Sequence, residues 1–365
     1  MKATKVHNIK ASKKKNVHLQ KAVFMILRQV IIVSFFAIVL VFNEAIYAQN
    51  ETDNSIEMTS ELIRPPYLKA GDTVAIVAPS GILKNREREV QQAFDLLKSW
   101  GLHVVIGKHV FSKANHFAGT DDERCEDLQK AMDDSKISAI WCARGGYGTV
   151  RILDKLDYTK FKKNPKWIIG YSDITALHNQ LHNNGFMSIH ALMCVSLTKD
   201  LSEIAYTIET FKMALFGNPT NFDLEPTQYN RIGEASGELV GGNLTMLHTM
   251  LGSKESIDTS GKILFIEEIG EYKYHIDRML QSMKRAGYFD NLQGLIVGDM
   301  SRLRKNTTLW GTSVEQLILD ALADYDFPIA FGMPAGHEKK NLAMTLGMTV
   351  ELQVESDKTL ISFKK

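Results

Sequence analysis

Cysteine is scarce: Cys125, Cys142 and Cys194 are the whole complement of a 365-residue chain. An odd number of widely spaced thiols in helix-like and strand-like segments argues against a disulfide framework even in an exported protein, so all three are expected to be buried thiols in a fold held by packing. Cys194 lies near His190, but its apolar neighbours Met193 and Val195 would raise the thiol pKa and weaken it as a nucleophile. Neither CxxC nor HExxH spacing occurs, which removes the strongest sequence signals for zinc; no metal and no cofactor is expected. Charge of one sign is also missing. With 43 basic residues against 42 acidic ones, no overall field recruits nucleic acid. A GxGxxG spacing and a phosphate-loop lysine are both absent, which disfavours nucleotide binding. The longest strongly apolar run, Val30 to Phe42, falls short of the about twenty residues that cross a bilayer. Internal repeats are lacking, and no low-complexity tract lies beyond the leader and linker.

What is present begins with an address. Lys2, Lys5, Lys10, Lys13, Lys14, Lys15, Lys21 and Arg28 precede the apolar run without an acidic residue among them, and small residues follow at Ala45 to Ala48. Residues 1–48 therefore read as a signal sequence cleaved near Ala48, or as an N-terminal anchor if the apolar stretch extends back through Ala22 to Leu27. Export is expected, to the periplasm of a bacterium with an outer membrane. An uncleaved leader is the single route to the inner membrane, because no cysteine is available there to accept a lipid. Residues 49–63 are mostly polar and run into Arg64-Pro65-Pro66, a linker that cannot continue as helix.

The remainder has the 44% hydrophobic and 23% charged composition of an ordinary globular protein. Thr73 to Ala78 is a near-continuous apolar run of the kind found in a buried parallel strand. Helix follows over Asn85 to Trp100, then strand His103 to Ile106, helix Asp121 to Asp134, strand Ile137 to Ala143, and a helix from about Thr149. Strand Trp167 to Gly170, helix Ile174 to Asn183 and strand Phe186 to His190 continue the rhythm. The fold class is α/β: an N-terminal parallel-sheet, Rossmann-like domain over residues 64–216, an interdomain linker over 217–236, and a C-terminal mixed, β-rich domain over 237–365. Strands Gly237 to Gly241, Lys262 to Glu267, Gly294 to Gly298 and Thr349 to Val354, with a helix around Ile276 to Ala286, are expected in the second domain.

Four segments could carry chemistry. Gly170-Tyr171-Ser172-Asp173 sets a serine where an apolar strand turns into a helix, which exposes the hydroxyl and offers the Asp173 amide as an oxyanion donor. Ile174 stands where GxSxG has its last glycine, and a serine that merely caps the helix fits the same residues. Arg144-Gly145-Gly146-Tyr147-Gly148 has enough glycine for backbone amides to approach a ligand, as half an oxyanion hole, or simply for a tight connection. Lys262 to Glu268 drives a carboxylate to the end of a buried strand, which is costly without a partner. Gly336-His337 supplies a histidine, a suitable partner if it is not a surface residue. Ser80, in a strand-end loop, is a weaker alternative nucleophile.

Taken in order, these segments resemble the LD-carboxypeptidase family of serine peptidases, which includes the hydrolases that confer immunity to microcin C. Similarity extends through Arg64 to Gly81, Gly237-Glu238-Leu239-Val240-Gly241-Gly242-Asn243-Leu244 and His275-Ile276-Asp277-Arg278-Met279-Leu280. The resemblance implies a triad of Ser172, Glu267 and His337 shared between two domains, with amides of Gly146 and Asp173 holding the oxyanion. It leaves open whether Gly145 or Gly146 donates, and it favours Glu267 over Glu268. Arg278 is a candidate for binding a substrate carboxylate, with a structural ion pair as the competing reading. The implied activity is hydrolysis of the amide between the L-centre of a diamino acid and a terminal D-alanine in murein tetrapeptides. Cleavage of peptidyl-nucleotide antibiotics and non-catalytic binding of wall peptides are the alternatives. Family members often form homodimers. Diamino-acid preference is not written in these residues.

Overall fold

The computed structural model describes residues 62–218 and 221–364. The expected leader (1–48) and the linker up to residue 61 lie outside the described residues. From Leu62 onward the chain is one compact unit.

The first half alternates as its apolar runs require. Strand β1 (Thr73–Val77) leads into α1 (Glu87–Ser99), β2 (His103–Ile106), α2 (Asp121–Asp133) and β3 (Ile137–Cys142). Thr120 starts α2 with a capping box: its hydroxyl accepts from the Glu123 amide while the Glu123 carboxylate accepts from the Thr120 amide. Then come β4 (Trp167–Gly170), α3 (Thr175–Asn183), β5 (Ser188–His190) and α4 (Ala205–Leu215). Side chains of β1 alternate between two cores: Val74 and Ile76 pack on one face with Val90, Ala93 and Leu97 of α1, and Ala75 and Val77 on the other with Leu128 and Met132 of α2. Both faces of β1 are covered, which is why it reads as an unbroken apolar run, whereas β2 at the sheet edge leaves Val105 and Ile106 exposed.

Where a helix is expected from Thr149, the chain instead forms two short 3₁₀ turns, Thr149–Arg151 and Leu153–Lys155. The Thr149 amide is committed to the Asp173 carboxylate, and β-branched Thr149, Val150 and Ile152 gain little from helix.

The second half supplies β6 (Phe222–Leu224), β7 (Gly233–Asn243), α5 (Leu244–Thr249), β8 (Ile263–Ile269), α6 (Lys273–Arg285), β9 (Gly294–Ser301), α7 (Val314–Ala321), β10 (Ile329–Phe331), β11 (Met344–Leu346), β12 (Thr349–Val354) and β13 (Thr359–Phe363). Two sheets result, ordered β11-β5-β4-β3-β1-β2 and β10-β9-β8-β7-β12-β13-β6. In the first, β1 to β5 run parallel and β11 closes the edge antiparallel to β5, Thr345 opposite Ile189. In the second, β7 changes partners along its length. Gly233 to Glu238 pair antiparallel with β12, and Leu239 to Asn243 pair parallel with β8. The result is the mixed, β-rich half expected. Its parallel strands β7 to β10 all end on one side, the position at which open α/β sheets gather ligand groups.

Candidate active site

Trp167 to Gly170 are fully buried, and the chain leaves them through Tyr171 at φ −154° and ψ −175° before reversing at Ser172, φ +63°. A left-handed conformation costs a non-glycine residue about 1–2 kcal/mol, so the surroundings must hold it. They do so through the Gly170 carbonyl, which accepts from the Ala191 amide at 3.1 Å and from His178 Nε2 at 3.0 Å. Gly170 itself is obligatory, since a Cβ there would lie 2.8 Å from Cγ1 of Ile174. The missing last glycine of GxSxG is thereby explained: Ile174 fills the space that Gly170 leaves. The 3₁₀ turn Ser172–Ile174 then feeds α3, with the serine hydroxyl at the bend.

The histidine arrives from the loop after β10. Gly336 N donates to Asn341 Oδ1 at 3.1 Å, which also accepts from His190 Nε2 at 3.2 Å, and the Leu342 amide closes the loop on the Pro334 carbonyl at 2.9 Å. So held, His337 places Nε2 3.0 Å from Ser172 Oγ and Nδ1 2.7 Å from Glu267 Oε2. Its ring meets Tyr171 edge to face at 4.9 Å. The Glu267 side chain has no exposure and that of His337 is 13% exposed. Glu268 is spent elsewhere: it accepts from the Thr245 amide and hydroxyl at 2.8 and 2.7 Å and from its neighbour Ile269 N at 2.7 Å, tying α5 to β8. Burial pushes its carboxyl above the ordinary value.

Gly145 stands against the serine. A Cβ on it would lie 3.3 Å from Ser172 Cβ and 3.4 Å from Asp173 N, so no other residue leaves the hydroxyl and that amide accessible from this side. Behind the glycine loop runs a buried polar network. The Asp173 carboxylate accepts from Ser80 Oγ at 2.6 Å and from Thr149 N at 2.8 Å. Ser80 spends its only hydrogen on Asp173, so the Thr149 hydroxyl donates to it at 2.6 Å. Arg124, entirely buried, donates to the carbonyls of Gly148 (2.9 Å) and Pro79 and pairs with Asp121. Ser80 is therefore a fully buried clamp and not an exposed nucleophile. Cys142 and Cys194 are buried with thiols pushed up by desolvation, while Cys125, expected to be buried, is partly exposed.

Arg278 is exposed and lies 5.7 Å over the Tyr274 ring, with no contact to Ser172, Glu267 or His337. A different arginine stands closer. Arg302 follows the end of β9 at φ +50°, and its charge acts on the Tyr171 hydroxyl against the burial that raises it. Among the described residues it has no ion-pair or hydrogen-bond partner. Asp299, also on β9, accepts from the Glu338 amide at 3.3 Å beside Gly336 and is raised to about 6, by burial first and then by the anionic neighbours Glu338 and Glu267. Sequence reading missed Arg124, Arg302, Asp299 and the Asp173 carboxylate. The one available signal was an aspartate directly after the serine, which was read only for its amide.

The chain is similar to known proteins along most of its described length. Residues 74–191 match the LD-carboxypeptidase N-terminal domain and residues 236–352 the LD-carboxypeptidase C-terminal domain. A probable murein peptide carboxypeptidase of Bacillus subtilis is 35% identical over 303 residues, 82% of this chain and 93% of the relative. The crystal structure of a muramoyltetrapeptide carboxypeptidase from Oxalobacter formigenes superposes with a TM-score of 0.74 at 29% identity, covering 80% of this chain and 99% of that one. The microcin self-immunity protein MccF shares the fold at a TM-score of 0.74 and 20% identity, over 83% of this chain and 99% of its own.

Proposed function

The chain belongs to the LD-carboxypeptidase family, a family of serine-type hydrolases, and on that premise we propose that it removes the terminal D-alanine from murein tetrapeptides through an acyl-enzyme on Ser172. The observation that carries this reading is the single imidazole bridging Ser172 Oγ at 3.0 Å and Glu267 Oε2 at 2.7 Å. In the proposed cycle His337 Nε2 takes the hydroxyl proton as Ser172 attacks the carbonyl of the diamino acid's L-centre. Glu267 keeps the proton on Nδ1 and stabilises the imidazolium. The amides of Asp173 and Gly146 receive the oxyanion. Collapse of the tetrahedral adduct sends the proton to the leaving amine, releasing D-alanine. Water, deprotonated by the same imidazole, then frees the acyl group.

A carboxypeptidase must also recognise a terminal carboxylate, and the triad offers nothing positive to do so. Arg302, unpaired and close to Tyr171, supports that role better than Arg278, whose guanidinium sits on Tyr274. With a cleavable leader, the reaction is assigned to the periplasm, where wall peptides are met directly.

The test is incubation of the mature protein with a defined tetrapeptide and detection of free D-alanine by mass spectrometry, with Ser172→Ala as control. Release by the wild type alone supports the reading. Turnover of an aminoacyl-nucleotide with no release from tetrapeptide, or binding of tetrapeptide without turnover, would sink it.

A further inference from the structure

The ladder of β8 and β9 does not stop at the catalytic groups. Beyond Glu267 it pairs Ile269 with Ser301, and the Arg304 amide then reaches the Glu271 carbonyl at 2.9 Å, with Tyr272 bridging to Arg304. This extension opens into a cavity of about 640 Å³ lined by Tyr272, Tyr274, Lys305, Asn306, Leu309 and Trp310, together with two threonine hydroxyls. Nothing in the proposed cycle uses it.

Its walls are chemically specific. Tyr272 and Tyr274 stack on each other at 5.5 Å with 28° between planes, and are braced by Arg304 over the first ring and Arg278 over the second. The two rings close on one another and leave no slot for a planar base between them. Leu309 is 90% exposed and Trp310 37%, a costly display of apolar surface unless something covers it. Asn306 Oδ1 is buried in this lining without a donor among the described residues. An aromatic face beside hydroxyls, an ammonium and an amide oxygen awaiting an N–H suits a pyranose ring carrying an acetamido group.

We propose that this cavity is a subsite for the N-acetylated amino sugar to which the stem peptide is attached, so that the enzyme grips glycan and peptide together. The inference rests on the murein reading above. Continuity supports it. The strand that carries Glu267 runs on to Tyr272 through the same ladder, so a substrate lying along that ladder with its terminal D-alanine at Ser172 points its glycan end toward this cavity.

The experiment compares free tetrapeptide with the tetrapeptide bearing the disaccharide of N-acetylglucosamine and N-acetylmuramic acid, in wild type, Trp310→Ala, Trp310→Phe and Asn306→Ala. The wild type should show the lower KM for the glycosylated substrate. Trp310→Ala should raise that KM about tenfold at unchanged kcat, with Trp310→Phe restoring most of it and hydrolysis of free tetrapeptide unaltered. Equal KM values for the two substrates in the wild type, or equal losses on both in Trp310→Ala, overturn the subsite. Should neither substrate be cleaved, the murein reading falls. The subsite is then judged alone, by titrating the disaccharide into Ser172→Ala by isothermal calorimetry: saturable binding that Trp310→Ala abolishes upholds it, and no binding ends it.

Discussion

Ser172 occupies a backbone conformation that its side chain does not favour, and the strain makes sense only if the hydroxyl must face His337. Ser172→Ala and His337→Ala should each lower kcat by several orders of magnitude, and Glu267→Gln by about 10⁴-fold through the wrong imidazole tautomer; single-turnover kinetics with tetrapeptide check all three. Arg302→Ala should raise KM for the free acid and leave a D-alaninamide-terminated substrate unaffected, which separates carboxylate recognition from a general structural loss. Asp299 is raised to about 6 by burial and by the anions around it. Above that value it is an anion beside the His337 loop. Asp299→Asn removes the charge at every pH, so any inflection of kcat/KM near pH 6 should disappear; an unchanged profile would show that the Asp299 charge does not act on the site.

At the scale of elements, the β4 to α3 turn and the glycine loop form one device, fastened by the Asp173 carboxylate to Thr149 N and Ser80 Oγ. Asp173→Asn leaves the amide in place but weakens the clamp on a buried donor, at an expected cost of about 1–3 kcal/mol measurable by thermal unfolding, along with a fall in kcat. Gly170→Ala drives a methyl into Ile174, and Ile174→Ala in the same chain should recover part of the loss, a coupling that a double-mutant cycle measures. Much of this was legible beforehand. The strands β1, β3 and β4 announced themselves because burial on both faces leaves apolar runs, and the elbow because β4 passes so abruptly into helix. What stayed hidden was whatever depends on distant partners. Arg124 reads as one more charge in an acidic helix start, yet it is wholly buried by carbonyls from two loops. The strand β11 is three residues long and is defined only by the edge of β5 that it meets. Arg302 carries no motif, since its meaning comes from Tyr171 across the sheet ends.

For the whole molecule, two deeply buried histidines set a lower pH limit. His178 is depressed to about 4 and His190 to about 3, both by burial first. The unfolded chain binds protons on them from about 6.5 downward while the folded protein does not, so each removes roughly 1.4 kcal/mol of stability per pH unit below that value until its folded pKa is reached. Urea midpoints measured from pH 7 to 5 should fall accordingly, and His190→Gln should flatten the slope. If the leader is removed as proposed, sequencing the N terminus of the protein recovered from cells should find it near Gln49. The edge strand β11 carries a last consequence. Residues 344–346 complete a sheet begun more than two hundred residues earlier, and His337 emerges just before them. A chain broken off before residue 337 would therefore carry Ser172 without the imidazole that stands 3.0 Å from it, so neither half of the molecule holds the proposed machinery alone.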